Sequence, residues 1–94
     1  MMNVRLIICW HPGDVYQASV TTLDFAGLWH KFYPSKSECV SDLAQLGLLT
    51  IMDQDDVLKS DFDIKDRVLT TVASTEEDLL TKAGFVKITP AKLN

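Results

Sequence analysis

The side chains best suited to acid–base, nucleophilic or metal chemistry are two histidines and two cysteines. His11 precedes Asp14 in a turn, and a histidine beside a carboxylate can act as a general base or a metal ligand. His30 and Cys39 would supply a base and a nucleophile if their segments packed together. One hypothesis is therefore a small enzyme or ligand-binding protein. Its site, at a dimer interface, would use some of four residues: His11, Asp14, His30 and Cys39.

The same residues also have a structural interpretation. Cys39 falls near the end of the first turn of a predicted helix, where the field that favours a thiolate is fading, and it borders the apolar stripe. Cys9 lies inside the most apolar strand. Zinc-ligand spacings, glycine-rich phosphate loops and the common hydrolase motifs are absent from the sequence. We therefore expect no catalytic residue, no metal and no cofactor. The absence of these motifs favours a protein that is not an enzyme.

A second feature is a stretch of acidic residues. Residues 53–66 contain six aspartates and two lysines, a net charge of −4, which equals the net charge of the whole chain. An EF-hand loop that started at Asp53 would place Val57 at its fifth position and Ile64 at its twelfth, so calcium coordination fails. We expect a solvated surface or, alternatively, a docking surface for a basic partner protein. The residues concerned are Asp55, Asp56, Asp61 and Asp63.

A third feature is a concentration of aromatic residues. Four of the eight lie within residues 25–33, namely Phe25, Trp29, Phe32 and Tyr33. In a strand, Trp29 and Tyr33 share one face and Phe32 lies on the other. Because exposed tryptophan and tyrosine are enriched at interfaces, we predict that Trp29 and Tyr33 form a subunit or partner contact. The alternative is that both faces fill the core.

Length and composition limit the class of protein. A chain of 94 residues forms one domain, residues 1–94. The net charge of −4 argues against a phosphate-binding surface, so we expect no direct nucleic-acid binding. Apolar runs are too short for a membrane span or a signal peptide, and two cysteines do not make a disulfide framework. We therefore expect a cytoplasmic protein with no membrane association.

The first third of the chain reads as strands. Residues 4–10 are apolar on both alternating faces, which predicts a central strand. The sequence His11-Pro12-Gly13-Asp14 is typical of a type II turn, and the alternating residues 15–23 complete a hairpin. A third strand is expected over residues 28–33.

Helices and short strands are expected after residue 34. Capping boxes at Ser35-x-x-Glu38 and Ser74-x-x-Glu77 begin two helices, which Gly47 and Gly84 end. Thr50 caps a weaker helix that reaches about residue 60, with an apolar stripe formed by Ile51, Val57 and Leu58. Strands are predicted over residues 68–73 and 86–88.

The element order β-β-β-α-(α)-β-α-β predicts an α+β fold. We expect a two-layer sandwich, with a four- to five-stranded, mainly antiparallel sheet and two or three helices on one face. A doubly wound sheet is the alternative. Together these features favour a small protein-interaction or regulatory domain that self-associates, as a homodimer, through the aromatic third strand.

Overall fold

A computed structural model describes residues 1–62, 67–70 and 72–88 of the chain. In chain order the elements are β1 (Met2–His11), β2 (Val15–Thr22), β3 (Leu28–Tyr33), α1 (Lys36–Gln45), α2 (Ile51–Lys59), β4 (Arg67–Leu69), β5 (Ala73–Thr75), α3 (Glu77–Lys82) and β6 (Val86–Lys87). The sheet order is β4-β1-β2-β3-β6, β5 also pairs with β1, and every pairing is antiparallel. The α+β two-layer prediction is confirmed.

β1 is the central strand, as its two apolar faces predict. One edge pairs with β2 from Val4 to His11, and the other edge pairs with both β4 and β5. The hairpin turn also follows the sequence. Gly13 has φ +94°, the left-handed conformation that only glycine adopts without cost, and Asp14 follows at φ +58°.

One face of the sheet forms the core. Successive strands place Leu6, Val20 and Trp29 side by side, and all three are almost fully buried. Apolar residues from all three helices complete this core, including Leu43, Val57 and Leu80. We call this the core face. Burying this face removes its apolar side chains from water, which is the main favourable term in folding.

The side of β3 that was predicted to be an exposed contact surface, with Trp29 and Tyr33, is the buried side. Trp29 and Tyr33 have exposed fractions of only 2% and 5%, so they belong to the core face and not to an accessible surface. Phe32, on the other side of the strand, is 52% exposed. The physical reason is that α1 and α3 cover the Trp29 side. A Cβ at Gly27 would lie 2.7 Å from the Trp29 ring, so the chain before β3 closes over that ring as well.

Lys31 joins β3 to two helices. Its ammonium donates to Asp42 Oδ2 of α1 at 2.9 Å and to the carbonyl oxygen of Ala83, which caps α3, at 2.7 Å. Tyr33 donates its hydroxyl to the same oxygen of Asp42 at 2.5 Å. Burial raises the pKa of Asp42, but the hydrogen bonds from Tyr33 and Lys31 outweigh it and hold that pKa below its ordinary value.

The N-terminal caps of two of the three described helices are those predicted from the sequence. Ser35 caps α1 by accepting from the Glu38 N–H, and Thr50 and Asp53 form a full capping box on α2. The predicted box at Ser74 is wrong. Ser74 lies in β5, and α3 begins after Glu76, which makes no side-chain cap. The strand predicted over residues 68–73 is divided between β4 and β5, because each pairs with a different part of β1.

Gly84 ends α3 with φ +95°, as predicted, and the Phe85 N–H donates to the Leu80 carbonyl at 2.9 Å. An alanine Cβ would lie 3.6 Å from Lys31 Cε, which is ordinary contact, so its cost is that of the backbone conformation. We expect Gly84→Ala to lower the free energy of unfolding by about 1 kcal/mol in urea titrations. Gly84→Asn should lose less, because asparagine tolerates the left-handed region. Equal stability of the alanine variant and the wild type would contradict this.

Asp42 should make stability depend on pH. Because folding lowers its pKa below the ordinary 3.8, its contribution is present above about pH 4 and is lost as the pH falls through the lower, folded-state pKa. Asp42→Asn should therefore cost about 2 kcal/mol at pH 7, from hydrogen bonds to a charged group, and less at pH 3, below the ordinary pKa of 3.8. Thermal unfolding at both pH values measures the difference. Asp56→Asn, at an exposed site, is the control, and a loss that did not change with pH would refute the assignment.

Candidate functional site

The side of the sheet that faces away from the helices is the main candidate surface, and we call it the open face. Alternation along each strand assigns its members: Asn3, Arg5, Ile7, Cys9, His11, Val15, Gln17, Ser19, Thr21, Leu28, His30, Phe32, Arg67, Ser74 and Val86. None of the three helices in the described ranges covers it. A sheet normally buries at least one face, and in this protein the helices pack on the core face.

The charge of the open face is opposite to that of the chain. Arg5 and Arg67 are exposed there, and none of its members named above is an aspartate or a glutamate. The net charge of the chain is −4. Within the described ranges, the acidic groups therefore lie in the helical layer and the loops, and the two sides of the sandwich differ in sign.

The apolar side chains of the open face lie on β1, β3 and β6, on either side of β2. Phe32 is 52% exposed and Val86 is 61% exposed, while Ile7 and Leu28 are half-buried. The Phe32 ring lies 5.2 Å from the His30 ring and 6.2 Å from the His11 ring, measured between centroids. Phe32 and the two imidazoles thus form one aromatic cluster, and polar side chains of β2 separate Ile7 from Leu28 and Val86.

Gln17 connects the two histidines on this face. His11 Nε2 lies 2.7 Å from Gln17 Oε1, and Gln17 Nε2 donates to His30 Nδ1 at 3.3 Å. With the amide in this orientation, His11 carries its proton on Nε2 and His30 accepts at Nδ1. The structure thus brings His11 and His30 together through an amide that occupies the space between them.

The loop between β2 and β3, residues 23–27, presents two large apolar side chains to solvent. Leu23 is 50% exposed and Phe25 is 76% exposed. Phe25 has φ +60°, a conformation that costs about 1 kcal/mol or more for a residue with a Cβ. Backbone strain combined with apolar exposure is unusual in a loop and is characteristic of a functional contact.

Hydrogen bonds hold this loop rigid. The Phe25 N–H donates to the Thr22 carbonyl at 3.0 Å, and the Thr22 hydroxyl donates to Asp24 Oδ1 at 2.7 Å. The Ala26 N–H donates to that same carboxylate oxygen at 3.0 Å. The Thr22 hydroxyl and the Ala26 N–H lower the pKa of Asp24, because both donate hydrogen bonds to its ionised form.

The loop and the open face together form a concave site of about 280 Å³. Arg5 and Ile7 of β1 contribute one side, Thr21 and Thr22 of β2 contribute the floor, and residues 23 and 25 of the loop contribute the far wall. The lining is mainly apolar with one guanidinium. Such a site accepts an apolar side chain that has an acidic neighbour.

Helix α2 carries the second candidate surface. Its exposed side shows Ile51 at 84%, Met52 at 77% and Leu58 at 47%, while Val57 is fully buried. The predicted stripe of Ile51, Val57 and Leu58 is therefore wrong: Val57 alone enters the core, because α2 packs on α1 through the opposite side.

The exposed apolar residues of α2 lie near exposed acidic residues. Asp55 and Asp56 are exposed, and Lys59 Nζ pairs with Asp55 at 3.1 Å. Asp61 is exposed just beyond the helix. The Lys36 ammonium also lies at the end of α2, where it donates to the Ser60 carbonyl at 2.9 Å, so three exposed carboxylates against two ammonium groups leave a net negative charge. Asp63, which was grouped with them, lies outside the described residues.

The proposed combination of His30 with Cys39 does not occur. Cys39 is fully buried on α1 beneath the core face, whereas His30 lies on the open face, so the sheet separates them. Burial, with the nearby Asp42 carboxylate, raises the pKa of Cys39 to about 12, so it is a thiol at neutral pH. Cys9 is half-buried on the open face, opposite Gln17 and across the sheet from Cys39.

His11 bonds with Gln17, while Asp14 lines a separate depression near the end of α2, together with Lys36 and Phe62. In the described part of the chain, no group of three or more histidine, cysteine or acidic side chains is placed to hold a metal ion. Among the same residues, no helix has the length and apolar character needed to cross a membrane.

Sequence reasoning missed Arg5, Gln17 and Phe25. Gln17 gave a detectable signal as a polar member of an alternating strand, and Arg5 gave one as the charged residue within an otherwise apolar strand. Phe25 gave a weaker one: a bulky residue between Asp24 and Ala26-Gly27, in a break that separates two strands. Its left-handed backbone depends on the hydrogen bonds of the loop, which no local pattern indicates.

Replacing Phe25 should stabilise the chain. Asparagine tolerates the left-handed conformation, so Phe25→Asn should raise the free energy of unfolding by about 1 kcal/mol through relief of backbone strain. Phe25→Leu, which keeps the strain, should show no such gain. Urea unfolding of both variants measures the effect. A stability loss in the asparagine variant would mean that Phe25 supports the fold rather than an external contact.

Comparison of the chain with family models, curated proteins and solved structures finds no match. The open face and the exposed side of α2 are therefore the features from which a function follows.

Proposed function

We propose that this protein is a small interaction domain that self-associates through the open face of its sheet. The observation that carries the proposal is that this face combines exposed apolar side chains with two arginines and has no acidic member among those assigned to it. A surface of this kind binds an apolar surface of opposite charge. The occupant is a second copy of the chain.

The size of the open face supports this role. Five strands at about 4.8 Å spacing make it about 20 Å wide, and its three longer strands, β1, β2 and β3, each extend about 20 Å or more. A standard interface buries about 800 Å² per partner. That is roughly one-eighth of the 6082 Å² surface of the chain, which one side of the sandwich supplies.

The low burial of a small chain gives the association a physical reason. A domain of this length buries only about 60–65% of its unfolded surface, so covering Phe32, Val86 and Phe25 stabilises it further. The placement of the interface differs from our first prediction. The third strand remains at its centre, but Phe32 and His30 replace Trp29 and Tyr33 as the contact residues.

Charge supports a protein occupant over a nucleic acid. Two arginines give few phosphate contacts, and the field of a chain with net charge −4 repels a polyanion. We place the protein in the cytoplasm, because two cysteines that lie on opposite sides of the sheet are what a reducing compartment permits. We assign it no catalytic activity, cofactor or metal.

A ligand-binding site is the alternative, and the pair of imidazoles on the open face is its supporting observation. A small ligand with one acceptor and one donor could replace the Gln17 amide between His11 and His30. Gln17→Ala would empty that space. If the alternative holds, this variant should change which small molecules shift the imidazole resonances of both histidines, while the oligomeric state remains unchanged.

Sedimentation equilibrium tests self-association. At about 50 µM we expect the wild type to exceed the monomer mass of 10.5 kDa, and Phe32→Ser to lower the apparent mass toward that of the monomer. Leu79→Ser is the matched control. Leu79 is 44% exposed on α3, away from the open face, so its replacement should leave the association unchanged.

A monomeric wild type at this concentration would refute the proposal, as would an equal effect of the two serine variants. A labelled single-stranded oligonucleotide should not bind. Binding that Arg5→Glu abolished would instead make the open face a nucleic-acid surface and overturn the assignment of a protein occupant.

A further inference from the structure

We infer that the open face of one copy binds helix α2 of the next copy, so that the chains associate head to tail. This inference rests on the proposed function, since it names the surface that occupies the open face. It joins the two apolar surfaces that the fold leaves uncovered, one basic and one acidic, which lie in the two different layers of the sandwich.

The exposed side of α2 has the chemistry that the open face requires. Met52 and Asp56 are four residues apart, as are Ile51 and Asp55, so each apolar side chain has a carboxylate about one turn away on the same side. The capping box formed by Thr50 and Asp53 fixes the start of the helix and with it this orientation. The helix therefore presents apolar–acidic pairs.

The concave site at the end of the open face has the complementary arrangement. Leu23 and Phe25 wall an apolar depression, and the exposed Arg5 belongs to the same lining. An apolar side chain of α2 that enters the depression places its carboxylate neighbour beside a guanidinium. Carboxylate and guanidinium form the stronger class of hydrogen bond, which fixes the register of the contact.

A face-to-face dimer is the competing arrangement, and charge disfavours it. Packing two open faces together would bring Arg5 and Arg67 of both copies into one interface, with no carboxylate among the described members of either face. It would also leave Ile51 and Met52 exposed. The head-to-tail arrangement covers both apolar surfaces and pairs opposite charges.

The two surfaces cannot meet within one molecule. All three helices lie on the core side of the sheet, so α2 and the open face point in different directions. A contact between unlike surfaces is heterologous, and it forms a ring if the rotation closes or an open chain if it does not. The species formed by the wild type should therefore extend beyond the dimer or close as a ring.

Two variants that each block one surface test this arrangement. The face variant carries Arg5→Glu and Phe32→Thr, and the helix variant carries Met52→Lys and Asp56→Lys. All four positions are exposed, so both variants should keep the wild-type circular dichroism spectrum and cooperative unfolding. Each variant alone should be monomeric at about 50 µM, where the wild type associates.

Mixing the two variants gives the deciding result. The intact helix of the face variant can bind the intact face of the helix variant, so a 1:1 mixture should form a heterodimer and nothing larger. Raising the salt concentration from about 0.05 M to about 0.5 M should weaken it, because exposed ion pairs are screened. Leu79→Ser in either variant, as the control, should leave heterodimer formation unchanged.

The other outcomes separate the two proposals. If the helix variant alone still dimerises, the open faces bind each other, and the head-to-tail inference is overturned while the proposed function stands. A mixture that stays monomeric also overturns the inference. If the face variant alone associates as the wild type does, or if the wild type is monomeric, the open face is not the interface and both proposals fail.

Discussion

The ammonium group of Lys31 decides how this sandwich is assembled. Its hydrogen bonds to Asp42 of α1 and to the Ala83 carbonyl at the end of α3 attach two helices to the same face of β3. Neutralising a partly buried lysine with a carboxylate and a carbonyl avoids the cost of an unpaired charge. Because Lys31 shares its face with Trp29 and Tyr33, those two rings enter the core, and none of the three described helices covers the opposite side of the sheet.

The orientation of Trp29 sets the orientation of side chains across the whole sheet. Strand alternation is strict, so once Trp29 points inward, His30 and Phe32 point outward, and pairing through β2 sends Gln17 and Cys9 to the same side. The helices bring most of the carboxylates of the chain to the other layer. The result is a molecule with a basic, apolar side and an acidic, partly apolar side, and this difference in charge is the physical basis of the proposed association.

Hydrogen bonds in the β2–β3 loop preorganise part of this surface. Leu23 and Phe25 would be expected to fold back toward the sheet, but the hydrogen bonds among Thr22, Asp24 and Ala26 hold the backbone in a conformation that projects them into solvent. The strain at Phe25 is compensated by those bonds rather than by burial of its ring. A preorganised contact loses less conformational entropy on binding than a mobile one.

Local signals in the sequence determined most of the elements. The apolar run of β1, the alternation of β2, the caps at Ser35 and Thr50 and the stop at Gly84 act through neighbouring residues, and each appears where it was predicted. The faces were decided by tertiary structure. Trp29 and Phe32 are both aromatic, and Ile51 and Val57 are both aliphatic, so hydrophobicity alone does not say which one is buried. Contacts between residues far apart in the chain make that choice, because Lys31 has its partners on α1 and beside α3, and α2 can bury one side only against α1.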